Sequence, residues 1–100
     1  MQINSLTFCV PTYNRADFLK ELINSVILAN QVSHNIDFEI FICDDGSTDN
    51  TKLMVDNFKK KNQSIKIQYF YQQNQGRAIS LINLILNSKK DYLIIMDDDD

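Results

Sequence analysis

The chain has 100 residues, 44% of them hydrophobic, with a formal net charge of −3. That length makes one small globular unit with a core but little to spare. The acidic balance, with a pI near 4.9, argues against a nucleic-acid surface, which is normally basic. No apolar run approaches the roughly 20 residues of a membrane span. Met1-Gln2-Ile3-Asn4 has neither the basic region nor the apolar stretch of a signal peptide. Cys9 and Cys43 both sit in apolar, strand-like runs, so buried, reduced thiols and a cytoplasmic location are expected. A Cys9–Cys43 bridge would require their strands to be neighbours in suitable register.

Ser5 to Val10 predicts a first strand, stopped by Pro11, which has no amide for the ladder. After the loop Pro11–Arg15, the apolar positions Phe18, Leu19, Leu22, Ile23, Val26 and Ile27 recur at helical spacing, predicting a helix from Ala16 or Asp17 to about Asn30. Asp17 and Glu21 suit the positive end of its dipole. His34, in the polar connection that follows, is expected to be an exposed loop residue. Phe38 to Cys43 is a second buried strand, followed at once by Asp44-Asp45-Gly46-Ser47-Thr48-Asp49. Gly46 permits a tight turn, and Ser47, Thr48 or Asp49 can cap the next helix. That helix is expected over about Asn50 to Lys60, with Thr51, Met54, Val55 and Phe58 inward. Lys59-Lys60-Lys61, the one basic run, marks a solvated helix end.

Ile65 to Tyr71 predicts a third strand, and Arg77 to Ser88 a third helix. The third helix is apolar around most of its circumference, whereas a surface helix needs only a stripe. It is therefore expected to need further cover, from additional chain or from a second copy in a homo-oligomer. Tyr92 to Met96 is a last buried strand, running straight into Asp97-Asp98-Asp99-Asp100.

This alternation, β-α-β-α-β-α-β, implies a three-layer, Rossmann-like parallel sheet of the α/β class. Ligands of such sheets bind beyond the strands' C-terminal ends, where strand order reverses. Thr12, Tyr13, Asp44, Asp45 and Asp97 to Asp100 all fall at such ends. Two carboxylates ~4 Å apart repel by roughly 4 kcal/mol at an effective dielectric near 20. A folded cluster of four therefore needs a counter-cation, raised pKa values or water. In an extended chain Asp97 and Asp99 face one way and Asp98 the other. Asp-x-Asp is a natural clamp for a hard divalent ion such as Mn²⁺ or Mg²⁺. A solvated acidic stretch is the bland alternative.

With two glycines in the chain, neither a dinucleotide fingerprint nor a P-loop can be written. A diphosphate would need a metal, helped by Arg77 or left without it. Tyr13 could stack on a planar base, and Asp44 or Asp45 could accept a base N–H. The plain alternatives are a half-buried loop aromatic for Tyr13 and ordinary turn and capping chemistry for Asp44 and Asp45. No His is patterned to activate a Ser or Thr nucleophile.

Val10-Pro11-Thr12-Tyr13-Asn14-Arg15, Asp44-Asp45-Gly46-Ser47-Thr48-Asp49 and Asp97-Asp98-Asp99-Asp100, in that order and spacing, resemble the family 2 glycosyltransferases of GT-A fold. The resemblance covers essentially the whole chain. It implies transfer of a sugar, with inversion, from a nucleoside diphosphate donor, usually a UDP-sugar, to a carbohydrate or lipid-linked acceptor hydroxyl. By that resemblance Pro11, Thr12 and Tyr13 line the base pocket, Asp44 and Asp45 contact the base, and Arg77 stands near the nucleotide. Asp97, Asp98 and Asp99 form the metal- and nucleotide-binding segment, with Asp97 and Asp99 on the metal and Asp98 on the nucleotide. Family members continue well past this point, and that further half carries the acceptor site and the general base. The 100 residues are accordingly expected to be the N-terminal, nucleotide-binding half, turning over little alone. The alternative is a non-catalytic nucleotide-sugar-binding or structural α/β module. A phosphoacceptor receiver domain would need an Asp where this chain has Tyr71-Gln72-Gln73.

Overall fold

The computed structural model describes residues 5–33, 36–76, 79 and 92–96. The predicted third helix apart from Ile79, together with His34, Arg77 and Asp97–Asp100, lies outside the described residues. Along the chain stand β1 (Ser5–Thr12), α1 (Ala16–Val32), β2 (Asp37–Asp44), α2 (Thr51–Lys61), β3 (Lys66–Tyr71) and β4 (Tyr92–Ile95). All strand pairs are parallel, in the order β3-β2-β1-β4.

Side chains alternate across the strands, and the register sorts them onto two faces. Val10 lies opposite Ile42, Phe8 opposite Ile40, and Ile40 opposite Ile67. These residues pack with Leu19, Ile23 and Val26 of α1 and Val55 of α2 in one core. Both helices therefore cover the same face. Each fully buried Ile or Leu there contributes about 1.5–3 kcal/mol relative to exposure. Thr51 and Val55 are fully buried and Met54 and Phe58 partly so, as the spacing predicts for α2.

The opposite face carries a smaller cluster of Cys9, Phe41 and Cys43. Both cysteines are buried free thiols. Cys9 lies opposite Phe41, and Cys43 opposite Pro11. The two residues are diagonal neighbours, whose Cα atoms stand roughly 7–8 Å apart in such a sheet, beyond the usual Cα span of a disulfide. Burial, followed by the nearby Glu39 charge, pushes the Cys9 thiol above its ordinary pKa.

That Glu39 is only 2% exposed in the middle of the sheet. A buried carboxylate is tolerable when it is partnered. Glu39 accepts hydrogen bonds from the Thr7 hydroxyl (3.2 Å) and Gln68 Nε2 (3.4 Å). Lys66 reaches in from solvent to pair with it at 3.3 Å. One acid thus ties β1, β2 and β3 together.

Strand β1 continues two residues beyond the predicted stop, through Pro11 to Thr12, opposite Asp44. The Asp45 amide donates to Thr12 O and the Met96 amide to Cys9 O. Even-numbered β1 residues therefore bond to β2 and odd-numbered ones to β4. The N–H that Pro11 lacks would face the β4 side, past the last described rung. The ladder to β2 loses nothing.

Candidate active site

From β1 the chain moves outward through β2 to β3, then returns to β1's other flank as β4. Strand order reverses at β1, so the C-terminal ends of β1 and β4 flank the crevice where ligands of open α/β sheets bind. The loops after β1 and β2 both open there, and a dense set of hydrogen bonds fixes one to the other.

Asn14 and Asp49 make the connection. Asn14 Oδ1 accepts from the Thr48 amide (2.7 Å) and the Asp49 amide (3.3 Å). In return the Asn14 amide donates to Ser47 Oγ at 2.8 Å. Asn14 has φ +50°, a left-handed turn that asparagine tolerates better than most residues. Asp49 accepts from the Ala16 amide (3.3 Å) at the start of α1 and from the Thr51 amide (3.1 Å) and hydroxyl at the start of α2. It serves both helix starts at once. Burial alone would raise its pKa, but the Thr51 and Ala16 donors outweigh that and hold the carboxyl below the usual range.

The adjacent acids at the end of β2 have different tasks. Asp44, 1% exposed, accepts from the Ser47 amide at 2.9 Å and from the Tyr69 hydroxyl. Its carboxylate therefore closes the turn and anchors β3. Burial, then the hydrogen bond to Asp44, pushes the Tyr69 hydroxyl far above its ordinary pKa.

Asp45, 8% exposed, gathers the loop after β3. Oδ1 accepts from Gln72 Nε2 (3.0 Å) and the Gln75 amide, and Oδ2 from the Gly76 amide (2.9 Å). Burial would raise this pKa too, yet these donors hold it below the usual carboxylate range. A carboxylate has about four acceptor positions, so, counting the bonds among the described residues, Oδ2 keeps room for one further donor. Gln72 is itself oriented by the Cys43 thiol, which donates to its Oε1 at 3.3 Å. At Gly46, φ is +88° and an added Cβ would stand 3.1 Å from the Asn74 amide nitrogen. The loops after β2 and β3 approach closely there because Gly46 has no side chain.

Of the residues expected at a base pocket, Pro11 and Thr12 are buried in β1 and Tyr13 is 48% exposed just beyond it. Thr12 is joined to Asp45 through the amide–carbonyl bond of 2.9 Å. Tyr13, Thr12 and Asp45 are thus brought to neighbouring strand ends. Arg77 and Asp97–Asp99 lie outside the described residues. Among the described residues no group of three His, Cys, Asp or Glu side chains could hold a metal ion. The four aspartates follow Met96, which is still hydrogen-bonded to β1, and an all-carboxylate donor set suits a hard divalent ion.

A separate open cleft of about 560 Å³ lies on the helix side, lined by Arg15, Phe18 and the acids Asp17, Glu21 and Asp49 among others. Those acids, with the Arg15 guanidinium drawn over the Phe18 ring at 5.0 Å, suit a diphosphate poorly. Sequence reasoning missed the latch roles of Asn14 and Gln72, and the buried Glu39. A lone acid inside an apolar strand was a signal for Glu39; the other two depend on tertiary register.

Residues 7–100 match the profile of glycosyl transferase family 2. The chain belongs to that family. It is 34% identical over 98 residues to an uncharacterised glycosyltransferase of Mycoplasma genitalium, covering 95% of this chain and 32% of that protein. It is 38% identical over 96 residues to an abequosyltransferase of Salmonella typhimurium, covering 95% of this chain and 28% of that protein. A β-1,3-glucosyltransferase of Campylobacter jejuni, named for an undecaprenol-linked glycan, is 36% identical over 97 residues, covering 95% of this chain and 29% of that enzyme. The chain thus spans about a third of the length of these relatives. Among solved structures, a mannosyltransferase from Pyrobaculum calidifontis superposes with a TM-score of 0.82 at 20% identity, over 99% of this chain and 28% of that one. The S. aureus TarS protein, solved with UDP, superposes at 0.79 and 25% identity, over 95% of this chain and 27% of that one. The fold is that of part of a GT-A glycosyltransferase.

Proposed function

We propose that this chain is the donor-binding part of an inverting, metal-dependent glycosyltransferase that uses a nucleoside diphosphate sugar, a UDP-sugar by preference. The observation that carries it is the crevice edge itself. An exposed aromatic, Tyr13, stands at the end of β1, with the charged Asp45 carboxylate clamped in place at the end of β2. Tyr13 offers a face for a base, and the position on Asp45 Oδ2 that the described residues leave open suits a base N–H. The TarS structure with UDP supports the choice of nucleotide.

Arg77 would stand near the phosphates, and Asp98 would contact the nucleotide. Asp97 and Asp99 would hold Mn²⁺ or Mg²⁺, whose charge stabilises a departing diphosphate. The acceptor hydroxyl and the base that deprotonates it belong to chain beyond these residues. The Campylobacter relative's name favours a lipid-linked glycan acceptor, and a cytoplasmic membrane face is the location that goes with this reading. No helix among the described residues is long and apolar enough to cross a membrane.

Calorimetric titration of UDP, with and without Mn²⁺, tests this on the wild type and Asp99→Ala. Metal-dependent binding that disappears in the variant is expected. A folded wild-type protein that binds no UDP in either condition would overturn the donor-site assignment.

A further inference from the structure

The loop from β1 to α1 has three residues, Tyr13, Asn14 and Arg15. Its ends are fixed: Thr12 by the ladder to β2, and Ala16 by the hydrogen bond its amide donates to Asp49. Arg15 is held as well, its carbonyl accepting the first helical bond from Leu19. Tyr13 itself makes no hydrogen bond and no aromatic contact among the described residues. What restrains it is the next residue. Asn14 turns the chain through a left-handed φ and is gripped from both sides, by Ser47 Oγ at its amide and by the Thr48 and Asp49 amides at its side-chain carbonyl.

We propose that Asn14 is a positioning residue for the donor site, its side-chain carbonyl setting where Tyr13 stands relative to Asp45. This rests on the donor-site assignment above, because it gives Tyr13 the task of meeting the base. The clamp reaches Asp45 along a short covalent path. Ser47 is two residues past Asp45; its hydroxyl oxygen accepts from the Asn14 amide while its own amide donates to Asp44. Asn14 therefore references Tyr13 to the segment that carries the Asp45 carboxylate. A neutral acceptor suits the place: Asp44, Asp45 and Asp49 are close in the chain, and another negative charge would oppose an anionic diphosphate.

A double-mutant cycle on UDP binding in Mn²⁺ tests it, with Asn14→Gly, Tyr13→Ala and the pair. Glycine keeps the left-handed backbone free of strain and removes only the side-chain acceptor. Losing the side-chain hydrogen bonds that order the loop should weaken UDP binding about tenfold. In the Tyr13→Ala background the same change should cost less than about twofold. Equal losses in both backgrounds, or no loss in either, would overturn the positioning role. Backbone amide order parameters measured by NMR keep the question independent of UDP. Tyr13 should loosen in Asn14→Gly while the amides of β1 and β2 stay rigid. If a folded wild type binds no UDP, the donor assignment fails, and an unchanged Tyr13 order parameter then refutes the clamp as well.

Discussion

Replacing Asp44 with alanine should unfold this protein more readily while saying little about the nucleotide. The carboxylate is almost fully buried and accepts from the Ser47 amide and the Tyr69 hydroxyl. A hydrogen bond to a charged group is worth about 1.5–3 kcal/mol, and a stranded partner loses its solvation as well. Ser47 is partly exposed and recovers some water, so the total for Asp44→Ala is about 3 kcal/mol. With a urea slope near 1 kcal/mol/M for a domain of this size, the midpoint should fall by about 3 M. Asp44→Asn keeps one acceptor oxygen and should cost about half as much. The assay is urea unfolding followed by far-UV circular dichroism, with UDP titration of whatever remains folded. An Asp44→Ala protein within about 1 kcal/mol of wild type, with an unchanged slope, would refute the scaffold role. If that stable variant also failed to bind UDP, Asp44 would be a ligand contact instead.

The pH dependence has two limbs of opposite origin. Asp49 and Asp45 are held below the ordinary 3.8. Their stabilisation is complete above that value and is lost as pH falls through the lowered pKa. Urea midpoints between about pH 6 and pH 2 should drop in wild type and drop less in Asp49→Asn. Tyr69 is raised above its ordinary 10.0, so its contribution is complete below that value and fades as pH rises beyond it; Tyr69→Phe should flatten that alkaline limb. Gly46→Ala should cost about 2 kcal/mol, from left-handed strain plus the close Asn74 amide. Gly76→Ala has φ +98° but open space around the added carbon, so strain alone should cost about 1 kcal/mol. Equal melting temperatures for the two variants would refute the close approach of the two loops.

The apolar runs announced the described strands and helices because buried parallel strands and one-sided helices leave strong periodic marks. Their ends were less legible. Pro11 reads as a stop on sequence grounds, and only the sheet order shows that its missing amide faces away from β2. Asp44 and Asp45 were expected to share one role at a base. Successive residues at a strand end point to opposite faces, so Asp44 meets Tyr69 on the helix side while Asp45 gathers the loop after β3. Asn14, Ser47 and Asp49 stood in view as motif residues, but their bonds span more than thirty positions and follow from register, not local pattern. The predicted third helix apart from Ile79, and the Asp97–Asp100 segment, lie outside the described residues.

The placement of β1 between β2 and β4 also has a consequence for how the protein is made. As the chain leaves the ribosome, β1, β2 and β3 can pair in sequence, each with a partner synthesised shortly before it. The other edge of β1 must wait for Tyr92–Ile95. Until then the central strand is an edge, its odd-numbered backbone groups unpaired. Parallel pairings across such separations are slow to form, and open edges recruit neighbouring chains. Docking of β4 is therefore expected to be the late step of folding, and the interval before it the one in which this protein is most exposed to aggregation.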